Sequence, residues 1–324
     1  MIVRWGLGEL PGVLAELGVD RPFLVASERW SLEAVPVEVA GLWTEVPSSR
    51  IDEAAEEARS ANADAILALG GGSAIDLAKA ISAATGLPLV SVPTTYAGAE
   101  WTAYFGIRDP DRRMTGGGAG AHPAAIVYEP RLTYGLPKRE SVGTAINALA
   151  HCAEALYVKN HNPEADAEAL EGARLIAQWL PKVSAAGFGE RGRDGLLRGA
   201  MHAGAALGRS GLALGHAMAQ ALGGRYGLSH GAMNAICLPP ALRFNESVAA
   251  DAISRFANAI HAERADSGAE ALARLGGFER LRDFGVPKHD LPDVARAASE
   301  RAGAKANPRP ASPDEIEELL LSVW

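Results

Sequence analysis

The sequence predicts a mixed fold, an α/β domain built on a parallel sheet followed by an all-α C-terminal domain. Three observations carry this. The chain has 324 residues, and a single hydrophobic core seldom grows beyond roughly 250–300 residues. Up to about residue 138, short apolar runs alternate with helical patterns, the order expected of βαβ units. From about residue 139 the chain turns to alanine- and leucine-rich stretches without strong strand signals. The expected domains are 1–138 and 139–324, divided near Leu136-Pro137-Lys138.

In chain order, residues 23–27 read as a short apolar run and 42–46 as a second. A helix is expected over 51–61, a strand over 65–69, a helix over 74–85, and strands over 88–92 and 125–128. The glycine cluster 116–120 reads as a flexible loop. Helices are expected over 144–159, 164–179 and 195–222, then, after Pro239-Pro240, over 247–265, 269–284, 293–301 and 313–323.

Composition narrows the function classes. With 31 basic and 39 acidic residues the net charge is −8, which argues against a nucleic-acid partner. No window reaches the ~18 apolar residues of a membrane span. The first residues, with Glu9 and Asp20, lack a signal peptide's apolar run. A cytoplasmic protein with no membrane partner is expected. Cys152 and Cys237 lie in apolar runs and read as buried, reduced thiols.

The first chemical signal is Gly70-Gly71-Gly72-Ser73, between an expected strand and an expected helix. Glycines there let the backbone approach a pyrophosphate, and the helix start offers unpaired N–H groups and a positive dipole end. Ser73 is expected to add a donor or cap the helix. Asp76, near the helix start, reads equally as a cofactor contact or as a surface partner of Lys79, and the surface pair is the expectation for Lys79. Thr94 and Thr95 follow the next strand, at the sheet edge where open α/β sheets hold ligands. Ser27, closing the 23–27 run, is a further candidate for the cofactor's ribose. Neither Ser27 nor its neighbours Glu28 and Arg29 decide between NADH and NADPH.

The second signal is a set of imidazoles and amides in apolar helical surroundings. Asn147 and His151 are spaced i, i+4 and share a helix face, as do His216 and Gln220; His230 follows. Glu154 stands three residues after His151. Together these residues suggest one catalytic site, whereas His122, His161, His202, His261 and His289 read as surface or structural.

These motifs resemble the iron-containing alcohol dehydrogenase family, and within it the maleylacetate reductase branch. The segments that carry the resemblance span nearly the whole chain. They are Gly70 to Lys79, Pro93-Thr94-Thr95-Tyr96-Ala97-Gly98 with Glu100 and Thr102, Asn147 through His151 to Tyr157, His216 through His230 to Pro239, and Asn307-Pro308-Arg309-Pro310. The resemblance implies a Rossmann-like nucleotide-binding domain and a helical domain in a dehydroquinate synthase-like fold, with the catalytic cleft between them. It implies hydride transfer between NADH or NADPH and a carbonyl or enone small molecule. Metal-binding members use an aspartate and three histidines. The histidines fall on His151, His216 and His230, but Asn147 replaces the aspartate, so a catalytic metal is not expected.

Three departures bear on function. Gln220 stands where the family usually has histidine, and Ala99 where the loop usually has serine. Residues 115–123 lack the arginines that suit a dicarboxylate in the reductases, leaving Arg112 and Arg113 just upstream. A changed substrate is expected. Two alternatives stand beside this reading: a redox-inactive acid–base enzyme catalysing elimination, isomerisation or cyclisation, and a metal-dependent alcohol dehydrogenase. A homodimer is expected as the commonest enzyme assembly.

Overall fold

A computed structural model describes residues 1–111, 113–185 and 189–324. The chain forms two compact units, Met1–Thr95 with Ala99–Gly135, and Tyr96–Gly98 with Leu136–Trp324.

The first unit contains β1 (Ile2–Trp5), α1 (Leu10–Glu16), β2 (Pro22–Ala26), β3 (Gly41–Trp43), α2 (Ile51–Ser60), β4 (Ala65–Gly70), α3 (Gly72–Thr85), β5 (Leu89–Pro93), β6 (Phe105–Arg108), β7 (Met114–Gly118) and β8 (Ala125–Tyr128). Six of these strands pair in parallel in the order β1-β8-β5-β4-β2-β3. Strands buried on both faces read as unbroken apolar runs, and β2, β4 and β5 are buried throughout. Alternate residues feed two cores: Leu24, Leu67 and Leu69 pack with Leu10, Val13 and Leu14 on one side. Val25, Ile66 and Ala68 pack with Ala54, Ile75 and Ile81 on the other.

Several elements differ from the sequence expectation, β1 and the glycine run most clearly. β1 was not expected; its partner, β8, lies more than a hundred residues away, so no local pattern marks it. The glycine run expected as a loop is instead strand β7, antiparallel to β6. A Cβ on Gly118 would fall 2.6 Å from the Phe105 ring, so glycine there lets the hairpin close over that side chain.

The second unit is helical: α4 (Lys138–Ala155), α5 (Pro163–Ser184), α6 (Glu190–Ser210), α7 (Leu214–Tyr226), α8 (His230–Asn245), α9 (Ala250–Ala259), α10 (Ala265–Arg274), α11 (Leu291–Ser299), α12 (Ala302–Ala306) and α13 (Pro313–Ser322). Residues 195–222 are two helices rather than one, broken at Gly211, whose φ of +119° is open only to glycine. Pro239 and Pro240 lie inside α8 rather than before a new helix. An interior proline forfeits a ladder bond, at roughly 3 kcal/mol, and most of α8 is buried. Cys152 and Cys237 are free and buried. No helix among the described residues is long and apolar enough to cross a membrane.

Candidate active site

In the first unit, β4 ends at Gly70 beside Pro93 of β5, and α3 starts two residues later. The helix is capped by Gly71, not by Ser73, and no side chain caps it. Ala74 and Ile75 donate to the Gly71 carbonyl, so the N–H groups of Gly72 and Ser73 precede the helical ladder. The turn is sterically committed to glycine. A Cβ on Gly70 would lie 2.6 Å from the Ala74 Cβ, and one on Gly71 would lie 2.8 Å from the Thr95 methyl. Thr94 is buried and its N–H bonds the Gly70 carbonyl at 2.9 Å. Ser27, half-buried, directly follows β2, so glycine turn, threonines and Ser27 share the carboxyl edge of the sheet.

Asp76 and Lys79 do more than pair on a surface. Lys79 is fully buried, and its ammonium donates to the Tyr104 carbonyl at 2.7 Å, the Thr102 hydroxyl at 3.0 Å and Asp76 at 3.4 Å. Asp76 also accepts the Gly106 N–H at 3.2 Å. Burial pushes the Lys79 pKa down, with the Asp76 carboxylate opposing that shift. The pair therefore joins α3 to the β6–β7 hairpin. Arg113 is exposed, with its backbone N–H on the Asp109 carboxylate at 2.8 Å; Arg112 lies outside the described residues.

In the second unit, α4, α7 and α8 bring the three histidines together. The rings of His151 and His216 stack at 4.8 Å and 17°, and His230, the first residue of α8, is tilted against His216 at 5.7 Å. Asn147 binds this cluster to the loop at Tyr96–Gly98. Its amide N–H group donates to the Ala97 carbonyl at 3.0 Å and faces His151 Nε2 at 3.5 Å. Its oxygen accepts from Asn234 at 2.6 Å. Gly98, at φ +75°, passes over His151, and a Cβ there would meet the ring's Nδ1 at 3.4 Å. Gln220 is partly exposed one turn past His216 and lies outside the ring stack.

Sequence reasoning had noted Glu154 without giving it a part, and had missed Asn234. Glu154 is fully buried and accepts from His216 Nδ1 at 2.8 Å, the His216 N–H at 3.0 Å and the Ala213 N–H at 2.6 Å. Asn234 stands four residues after His230, repeating the Asn147/His151 spacing in reverse, and that spacing was its available signal.

The rings of His151 and His216 are buried beside polar side chains. Burial, then the charges of His216 and His230, hold the His151 pKa well below 6.5. His151 Nδ1, His216 Nε2 and Asn234 Oδ1 are buried without a hydrogen-bond partner among the described residues. Such atoms are exceptional in folded proteins, and here three of them lie in one cluster.

Asn147 turns its N–H group, not its oxygen, toward His151, and both Glu154 oxygens are engaged elsewhere. Among the described residues no group of three or more His, Cys, Asp or Glu side chains is placed to hold a metal.

Comparison with known proteins places the chain in a family. Residues 4–130 match the profile "Iron-containing alcohol dehydrogenase" and residues 141–324 match "Fe-containing alcohol dehydrogenase family, C-terminal". The chain is 38% identical to the maleylacetate reductase of Burkholderia cepacia, over 86% of this chain and 79% of that one. It is 35% identical to maleylacetate reductase 1 of Rhodococcus opacus, over 99% and 94%. The crystal structure of maleylacetate reductase from Agrobacterium tumefaciens superposes with a TM-score of 0.90 at 30% identity, covering 100% of this chain and 95% of that one. With glycine turn, histidine cluster and amide all carried by matching segments, the chain belongs to the iron-containing alcohol dehydrogenase family, in its maleylacetate reductase branch, and is an NAD(P)H-dependent oxidoreductase.

Proposed function

We propose that this enzyme reduces a carbonyl or enone small molecule without a catalytic metal, with His216 as the proton donor. The observation that carries the reading is His216 Nε2, buried and unpartnered while Nδ1 is held by Glu154. When bound, NAD(P)H supplies the hydride, and the electron pair displaced from the carbonyl or enone settles on the substrate oxygen. The N–H groups of Gly72 and Ser73 and the Thr94–Thr95 edge bind the cofactor's pyrophosphate and ribose, with Ser27 and Asp76 as further contacts. His216, as imidazolium, gives the Nε2 proton to the developing oxyanion, and His151 and His230 flank that oxygen. Asn147 holds the His151 ring in place. The buried surroundings strengthen each of these hydrogen bonds.

The substrate is proposed to differ from a dicarboxylate, because residues 115–123 supply no arginine or lysine. Titration with NADH and NADPH, followed by nicotinamide fluorescence, tests the glycine turn. Consumption of NAD(P)H is then measured with maleylacetate and with uncharged enones and aldehydes. His216→Ala is expected to lower turnover roughly 10²–10⁴-fold while cofactor affinity stays near wild type. Full turnover in that variant, or a stoichiometric transition metal in protein purified without chelators, overturns the reading.

A further inference from the structure

We propose that Glu154 is a positioning residue for this reaction: it holds the His216 Nδ1–H, so that Nε2 alone is offered to the reacting oxygen. The proposal rests on the reductase reading above, and its first test does not. Glu154 lies in the last turn of α4, and its carboxylate is fully buried against the start of α7. α7 has no side-chain cap of its own. The Ala213 and His216 N–H groups, left over at that helix start, both donate to Glu154. A cap would need only those two bonds. The third, from the imidazole, is what a cap does not explain: Nδ1 lies 2.8 Å from the same oxygen that takes the Ala213 N–H.

All three groups around the carboxylate are donors under this reading, and only an ionised carboxylate accepts from all three without presenting a proton. The imidazole is therefore fixed as the Nδ1–H tautomer, and its lone pair, or its exchangeable proton, is confined to Nε2. Gly215 makes the approach possible. A Cβ there would stand 2.9 Å from Glu154 Oε1.

An amide in place of the carboxylate breaks this set in either orientation. Glu154→Gln must turn its N–H group toward Nδ1 or toward the His216 N–H, and the first choice drives the ring to the Nε2–H tautomer. Long-range ¹⁵N–¹H correlation on histidine-labelled, full-length protein reads the tautomer directly, with His216→Ala used to assign the signal. Neutral His216 is expected as Nδ1–H in the wild type and shifted toward Nε2–H in Glu154→Gln. With maleylacetate, or the carbonyl that the screen returns, kcat is expected to fall roughly 10²–10⁴-fold with KM within about threefold. Gly215→Ala, which keeps the charge but crowds the carboxylate, is expected to move both readouts in the same direction by less.

A wild-type His216 carrying its proton on Nε2 overturns the proposal. So do variants that melt earlier yet leave tautomer and kcat unchanged, because that is the behaviour of a helix cap alone. If no carbonyl consumes NAD(P)H, the reductase reading falls, while the tautomer measurement still decides whether Glu154 holds Nδ1.

Discussion

At His151, burial beside two other histidines disfavours the charged ring. His151 is 4% exposed, and burial together with His216 and His230 holds its pKa well below 6.5. In the unfolded chain the same ring titrates near 6.5. Above that value both states are neutral and the stabilisation is complete. As pH falls below it, the unfolded state takes the proton first, and stability is lost by up to about 1.4 kcal/mol per pH unit for this one group. His151→Gln removes the titration. Urea midpoints at pH 7.5 and pH 5 are therefore expected to drop further in the wild type than in the variant; equal drops reject the assignment. Part of this site was legible before folding. Asn147 and His151 declared themselves as polar residues on one face of an apolar helix. Glu154 looked like an ordinary helix glutamate, because its three donors come from a segment some sixty residues away.

Turns and short strands show where local pattern stops being informative. The strand–glycine–helix signal at β4–α3 was plain, since its parts are contiguous in sequence. That Gly71 is sterically required was not, because the obstacle is the Thr95 methyl across the β5 end. The surface pairing expected of Lys79 failed for a related reason: its partners at Thr102 and Tyr104 belong to a distant segment that covers it. The same geometry gives a test of the turn. Gly71→Ala places a Cβ 2.8 Å from Thr95 Cγ2, forcing the turn or the threonine aside and disturbing the N–H groups at the start of α3. The dissociation constant for NADH is expected to rise by about tenfold or more, equivalent to about 1.4 kcal/mol. Adding Thr95→Ser, which deletes the obstructing methyl and keeps the hydroxyl, is expected to recover part of the loss. No change in affinity for Gly71→Ala would remove the turn from the cofactor site.

Across the chain, the alternating first half and helical second half were readable because period 2 and period 3.6 extend over many residues. The path between the two units was not. The chain enters the second unit at Tyr96, leaves after Gly98 and returns at Leu136. Three residues therefore belong to a body built almost wholly from sequence forty residues downstream. Their contribution there is specific. Tyr96 is fully buried and its hydroxyl accepts from Arg193 at 3.2 Å; the Ala97 carbonyl takes the Asn147 amide; Gly98 lies on His151. Removing a buried aromatic side chain costs about 3–5 kcal/mol, a large share of the roughly 5–15 kcal/mol that holds a domain together. A fragment of residues 136–324 lacks that side chain and leaves Asn147 short of an acceptor. It is expected to unfold at lower urea than the same residues in the full chain, to bind a hydrophobic dye, and to lose the single His216 tautomer. A fragment that unfolds sharply at the full-chain midpoint would show that the Tyr96–Gly98 segment contributes little, and that the histidine cluster is held by its helices alone.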